Sequence, residues 1–118
     1  MTRTEIIQVL INKTNGKNYL EIGMGPGTNF SQIQCENKVC VDPTPTVPVT
    51  FTLTSDEFFS QNKDKFDVVF IDGMHHCENV LRDFNNSLNK LTKNGFIFID
   101  DCIPLNYNEQ LKIPIKHF

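Results

Sequence analysis

Several features that mark other protein classes are missing from this chain of 118 residues. It has no apolar run of the roughly 18 residues that a membrane-spanning helix needs, and Glu5 and Gln8 interrupt the start where a signal peptide would be apolar. It has no cluster of Lys and Arg, and its formal charge is -3, so a phosphate backbone would repel it. Its four cysteines form no CxxC pair, which disfavours a zinc site. These absences predict a cytoplasmic protein that binds neither membranes nor nucleic acid.

The composition is sufficient for one folded domain. Hydrophobic residues make up 39% of the chain, and ten of them are phenylalanines that can fill a core. A chain of this length typically buries roughly two thirds of the surface that its unfolded form exposes. The prediction is therefore a single domain over residues 1–118.

Five short apolar segments have the composition of β-strands. They are Tyr19–Ile22, Lys38–Val41, Val49–Leu53, Val68–Ile71 and Phe96–Ile99. The last two are continuous apolar runs, as in strands that are buried on both faces of a parallel sheet. In the segment Val49–Leu53, apolar residues alternate with threonines, which indicates a half-exposed strand at an edge.

Helical patterns alternate with these strands. Thr2 and Glu5 have capping-box spacing before an apolar face, Thr54 and Glu57 repeat that spacing, and residues 27–34 are long enough for another helix. A stripe at helical period lies before the last strand: Val80, Leu81, Phe84, Leu88 and Leu91. The alternation predicts an α/β fold with a Rossmann-like, doubly wound, mostly parallel sheet of strand order 3-2-1-4-5.

Ligands of such folds bind at the carboxyl edge of the sheet, where the polar residues of this chain collect. Each predicted strand is followed by acidic or hydroxylated residues: Glu21 at the end of the first, then Asp42, Ser55 with Asp56, Asp72, and Asp100 with Asp101. Asp and Ser also form turns and helix caps, so each position has a purely structural alternative. The coincidence of five strand ends favours a small-molecule site.

The glycine turn after the first strand distinguishes between cofactors. A dinucleotide fingerprint GxGxxG would need Gly or Ala at position 28, where the chain has Thr28. The spacing is instead Glu21-x-Gly23-x-Gly25-x-Gly27, which resembles motif I of the class I S-adenosylmethionine-dependent methyltransferases. Glycines permit close approach of the backbone to a ligand. A tight turn without a ligand is the alternative.

The resemblance extends over about residues 18 to 103. The segments Thr54–Phe59, Phe66–His76 and Val80–Asp83 look like the macrocin O-methyltransferase-like branch of that superfamily. The resemblance implies that Glu21, Gly23, Gly25 and Gly27 hold the methionine moiety of the cofactor. It also implies Asp42 at the ribose, Ser55 and Asp56 at the adenine, and Asp72 within the same site. The capping box at Thr54 and the turn before Pro43 are the structural alternatives for Ser55, Asp56 and Asp42.

Two catalytic arrangements are open at the ends of the last two strands. His75 could act as general base on an acceptor hydroxyl, oriented by Asp72 or Asp101. Asp72, Asp100 and Asp101 could instead hold Mg²⁺, as in catechol O-methyltransferase, which this pattern resembles with Asp-Asn in place of Asp100-Asp101. The two could operate together. Helix capping by the histidines and solvent-facing turns for the carboxylates are the alternatives.

Few residues follow Asp101, whereas the family continues with further strands that wall the acceptor pocket. We therefore expect truncation after the fifth strand, or a homodimer that covers its exposed edge. The function expected is S-adenosylmethionine-dependent O-methylation of a small hydroxylated acceptor, a sugar or glycosylated metabolite. The alternatives are a catalytically silent S-adenosylmethionine-binding module or fragment, an NAD-binding Rossmann domain, and a structural role.

Overall fold

The computed structural model describes residues 1–23, 27–72 and 77–100, without the side chains of residues 77 and 78. Helices and strands alternate along these residues. Their bounds are α1 (Arg3–Thr14), β1 (Asn18–Ile22), α2 (Thr28–Gln32), β2 (Asn37–Val41), α3 (Ser55–Gln61), β3 (Phe66–Ile71), α4 (Cys77–Leu88) and β4 (Leu91–Ile99). The predicted βα alternation is confirmed.

The sheet formed by the described residues has four strands, all parallel, in the order β2-β1-β3-β4. The pairing brings the last residues of the strands to one level: Ile22 pairs with both Val41 and Ile71, and Ile71 pairs with Ile99. The strands consequently end along a common carboxyl edge. This arrangement is an α/β fold of the Rossmann-like type.

Helices cover both faces of the sheet because side chains alternate along each strand. Leu20 and Ile22 of β1 pack in a core cluster with Phe58 of α3 and Phe84 of α4. Tyr19 points to the opposite face. It belongs to the second cluster, whose other members are Ile7, Leu10, Ile11, Ile33, Val68, Phe70 and Phe98. The sheet is therefore doubly wound, with α1 and α2 on one face and α3 and α4 on the other.

Both predicted capping boxes are present. The Thr2 side chain accepts a hydrogen bond from the Glu5 N–H and begins α1, and the Thr54 side chain accepts from the Glu57 N–H and begins α3. The Glu side chain accepts from the cap residue's N–H in each case. Among the described helices, none combines the length and apolar character needed to cross a lipid bilayer.

The prediction of a separate strand at Val49–Leu53 is wrong. Phe51 makes only an isolated parallel bridge to Val41, on the outer side of β2. Side chains replace the next ladder bonds: the Cys40 N–H donates to Thr50 Oγ1 at 3.0 Å, and the Thr50 N–H donates to Cys40 Sγ at 3.2 Å. The segment therefore lies where an edge strand was expected without forming one, and the five-strand order is not confirmed.

The predicted boundary between the crossover helix and the last strand is also wrong. Helix α4 ends at Leu88, which is 46% exposed, and Leu91 belongs to β4 instead of the helical stripe. The register shifts here, since Phe66 pairs with Leu91 whereas Val68 pairs with Phe96. The extra residues of β4 form a bulge that a helical stripe with a following Asn-Gly turn does not reveal.

Candidate functional site

The carboxyl edge of the sheet places the predicted site residues next to one another. Gly23, Asp42, Asp72 and Asp100 each directly follow a strand. Three of their N–H groups extend the ladder, with Gly23 donating to the β2 carbonyl of Val41 at 2.9 Å and Asp72 and Asp100 donating to neighbouring strands at 3.0 Å. Neighbouring strands lie about 4.8 Å apart, so these residues form a continuous row.

The turn after β1 requires glycine at two described positions. Gly23 has φ 81° and Gly27, the residue before α2, has φ 82°. An L side chain in this left-handed region costs roughly 1–2 kcal/mol, which favours glycine at both positions. Gly25, the third predicted glycine, lies outside the described residues.

Glu21 is anchored inside the domain by a hydrogen-bonded chain. It is 1% exposed, and its Oε1 accepts from the Tyr19 hydroxyl and from Asn29 Nδ2, both at 2.7 Å. The Thr4 hydroxyl donates to Asn29 Oδ1 at 2.6 Å. The predicted cofactor residue therefore ties β1 to α1 and α2 on one face of the sheet, beside the glycine turn.

Burial dominates the electrostatics of this carboxylate. Loss of solvent raises the pKa of Glu21, and the hydrogen bonds from Tyr19 and Asn29 oppose that effect without cancelling it. The negative charge of Asp72 raises the pKa of Glu21 further. Burial, with Glu21 beside it, raises the pKa of Tyr19 well above its ordinary value. The charge of Asp72 thus acts on Glu21 across neighbouring strands.

Asp42 has a role in its own turn. It is buried, and its Oδ1 accepts from the Thr44 N–H at 2.9 Å, which is the turn that the sequence offered as the structural alternative. A carboxylate has acceptor sites for more than one donor, so this bond is compatible with a ligand hydroxyl. The turn holds the carboxylate at the end of β2, beside the glycine turn.

Polar side chains join the start of α3 to α4. The Ser55 hydroxyl donates to Asp83 Oδ1, and both residues are 8% exposed. Asp56 is exposed; its Oδ1 accepts from Asn86 Nδ2 at 2.7 Å, and its Oδ2 lies 3.8 Å from Arg82 Nε. The predicted adenine residues are therefore fixed by partners on α4.

These elements enclose a cavity of about 220 Å³ on the α3 and α4 face of the carboxyl edge. Its lining is apolar on the sheet side and polar on the helix side: Ile22, Gly23, Val41, Pro43, Thr54, Ser55, Asp56, Asn79, Arg82 and Asp83. It brings together three predicted cofactor residues, namely Gly23, Ser55 and Asp56. Glu21 lies on the opposite face.

None of the site residues predicted from the sequence lies on α4, although α4 forms one wall of the cavity. Asn79, Arg82 and Asp83 line it, and Asn86 supports it through Asp56. Their spacing of three, four and seven residues forms a polar stripe beside the apolar face of α4, which is a signal that the sequence contains. The position of this stripe at the cavity becomes clear only from the packing of α3 against α4.

The predicted metal site of Asp72, Asp100 and Asp101 lies only partly within the described residues. Asp72 and Asp100 end neighbouring strands, but Arg3 Nη1 lies 2.8 Å from Asp100 Oδ2 and supplies a positive charge there. Within residues 1–23, 27–72 and 77–100, no group of three His, Cys, Asp or Glu side chains could hold a metal ion. Asp101 and the predicted base His75 lie outside the described residues.

The doubly wound sheet and the cavity at its carboxyl edge define a Rossmann-like domain with a candidate ligand site. A family model described as Methyltransferase domain matches residues 41–102, just over half of the chain. The chain belongs to this family, which indicates that it is a methyltransferase. Among curated proteins, none matches the chain. The matched residues include Asp42, Ser55, Asp56 and the polar stripe of α4.

Proposed function

We propose that this protein is an S-adenosylmethionine-dependent O-methyltransferase for a small hydroxylated acceptor. The family supports methyl transfer and implies this cofactor. The resemblance to the macrocin O-methyltransferase-like branch favours a sugar or glycosylated metabolite as acceptor. The observation that carries the proposal is the cavity between the glycine turn, the end of β2 and the α3–α4 pair.

The residues present fit the three parts of the cofactor. The apolar floor formed by Ile22, Val41 and Pro43 suits a flat base, and the helix side of the cavity supplies polar contacts. Asp42 follows β2 with a carboxylate that can accept from ribose hydroxyls. The turn at Gly23 keeps the backbone uncovered for the methionine moiety.

When bound, S-adenosylmethionine supplies a sulfonium methyl group to an oxygen nucleophile. The task of the chain is then to place the acceptor hydroxyl in line and to remove its proton. Asp72 is 6% exposed at the end of β3, immediately before the segment that contains His75. We assign His75 as the general base and Asp72 as the residue that orients it. Orientation of two reactants supplies much of the barrier reduction in such a displacement.

Isothermal titration with S-adenosylmethionine and S-adenosylhomocysteine tests the cofactor site directly. We expect micromolar binding, and a loss of at least about tenfold in Asp42→Ala because hydrogen bonds to a carboxylate are lost. Asp64→Ala is the matched control, since Asp64 is an exposed aspartate between α3 and β3, away from the cavity. No binding by the folded wild type would contradict the proposal.

This titration and a turnover assay together distinguish the alternative functions. Binding without turnover across a panel of hydroxylated acceptors would support a catalytically silent module. Displacement of the ligand by NAD would favour a dinucleotide domain. Repeating the titration and the turnover assay with Mg²⁺ tests a metal requirement, which the ion pair between Arg3 and Asp100 does not favour.

A further inference from the structure

The hydrogen bond between Ser55 and Asp83 fixes the direction of a proton at the wall of the cavity. Ser55 donates its hydroxyl hydrogen to Asp83 Oδ1, and both residues line the cavity. A serine hydroxyl has one hydrogen and two lone pairs. With the hydrogen given to Asp83, the Ser55 oxygen can only accept a hydrogen bond from a ligand.

The Thr54 hydroxyl, on the same wall, also donates its hydrogen to a carboxylate. Thr54 Oγ1 donates to Glu57 Oε1 at 3.0 Å within the capping box. The carboxylates of Asp56 and Asp83 have no hydrogens to offer when ionised. The side chains at the start of α3 therefore present acceptors, and the donors of this wall are the backbone N–H groups of the first helical turn. The side-chain donors of the lining, Asn79 and Arg82, are exposed, and Arg82 points its Nε towards Asp56.

The size and position of the cavity select one part of the proposed cofactor. About 220 Å³ is less than the roughly 300–1,000 Å³ of pockets that enclose whole drug-sized ligands, so one moiety fits. The floor of Ile22, Val41 and Pro43 suits an aromatic ring, and the acidic wall opposes the cofactor carboxylate. The purine base is the moiety that matches both surfaces.

We infer that Asp83 is a positioning residue that makes this cavity selective for a 6-amino purine over a 6-oxo purine, an inference that rests on the proposed function. By taking the Ser55 proton, Asp83 keeps the Ser55 oxygen an acceptor for the exocyclic amino group of adenine. A carbonyl oxygen placed against the Ser55 oxygen would meet its lone pairs instead of a donor. A site built for a donor rejects an analogue that lacks it, because polar groups are then left unpaired.

The test compares S-adenosylhomocysteine with S-inosylhomocysteine, whose base carries a 6-oxo group, by titration calorimetry. We expect the wild type to prefer the adenosyl ligand by about tenfold or more. In Asp83→Asn, the amide can donate to Ser55 and release its hydrogen towards the cavity, so the ratio of affinities should fall at least about fivefold. Ser55→Ala removes the acceptor and should lower the ratio without weakening the inosyl ligand.

Asp64→Asn is the matched control and should keep the wild-type ratio. Equal losses for both ligands in Asp83→Asn would indicate a merely structural role and overturn the inference, as would an unchanged ratio in a folded Ser55→Ala. A wild type that binds both ligands equally would overturn the inference and leave the proposed function intact. A folded wild type that binds neither ligand would overturn both.

Discussion

Carboxylates lie at both ends of the sheet, and they do different work. At the amino end, Asp67 of β3 completes the backbone: its Oδ2 accepts from the N–H groups of Lys17 and Asn18 at 2.8 and 3.0 Å, and its Oδ1 accepts from the Thr92 hydroxyl at 3.0 Å. At the carboxyl end, Glu21 accepts from the side chains of Tyr19 and Asn29, on the face of the sheet opposite the cavity. The Asp67 carboxylate binds backbone N–H groups, whereas the Glu21 carboxylate binds side chains at the edge where the cofactor site is proposed.

The pKa values report this difference. Burial raises the pKa of Asp67, but the backbone N–H groups and Thr92 outweigh it, so the net pKa is lowered. Burial also raises the pKa of Glu21, and there the hydrogen bonds do not outweigh it. The same two effects compete at both ends, and the deeper burial of Glu21 together with the backbone donors at Asp67 decides the outcome. The carboxylate that is costly to ionise lies at the end of the sheet where the cofactor site is proposed.

The largest effect on stability is expected for Asp67→Ala. Removal of the carboxylate leaves two backbone N–H groups and the Thr92 hydroxyl without their acceptor, which should lower the free energy of unfolding by about 2–3 kcal/mol. Urea unfolding monitored by circular dichroism measures this loss. Affinity for S-adenosylhomocysteine should be unchanged, because Asp67 lies at the opposite end of the sheet.

Asp64→Ala provides the baseline for that measurement, since Asp64 is an exposed aspartate three residues away. Its free energy of unfolding should stay within about 0.5 kcal/mol of the wild type. If Asp67→Ala weakened cofactor binding but left the free energy of unfolding unchanged, the division between a structural end and a functional end would be wrong.

A smaller, pH-dependent effect is expected for Glu21→Gln. The folded-state pKa of Glu21 is raised above 4.5, so the folded state binds the proton more tightly than the unfolded state. The stabilisation from Glu21 is therefore complete below pH 4.5 and declines as the pH rises through the raised value. Glutamine keeps an acceptor for Tyr19 and Asn29 but does not titrate.

As the pH rises through this window, the wild type should therefore lose stability relative to Glu21→Gln. Urea unfolding at half-unit pH intervals from about 2.5 to 7 measures it, and this range includes the values below pH 3.8 at which Asp67 titrates. Asp67→Asn is the opposite control: Asp67 has a lowered pKa, so its stabilisation is present above pH 3.8 and is lost as the pH falls through the folded-state value. If the stability of both variants relative to wild type changed with pH in the same direction, the electrostatic difference between the two ends would be contradicted.

Strand ends were predictable from the sequence because period and composition determine them locally. Tyr19–Ile22 and Val68–Ile71 are apolar, and parallel pairing forces Gly23, Asp42 and Asp72 onto one edge. The start of β4 was not predictable. Gly95 reads as a turn, but a Cβ there would lie 3.1 Å from the Asp67 carbonyl oxygen, so glycine serves the bulge against β3.

The polar wall of the cavity was not predictable for a different reason. Ser55 and Asp56 were recognised at the start of a helix, yet their partners Asp83 and Asn86 lie about thirty residues away. Their pairing depends on how α3 packs against α4, which local patterns do not encode. Sequence therefore located the site on the sheet, and tertiary packing defined the chemistry of the wall opposite the sheet.

The smallest effect is expected where the carboxyl end meets solvent, in Arg3→Gln. The ion pair of Arg3 with Asp100 has side chains that are 40% and 33% exposed, and the guanidinium lies 5.8 Å from the centre of the Phe70 ring. Solvent screening limits such a pair to about 0.5–1 kcal/mol. In about 1 M NaCl the ionic part should vanish, while Arg3→Lys should keep most of it at low salt. A loss as large as that of Asp67→Ala would mean that α1 is held by charge, and the carboxyl end would then count as structural too.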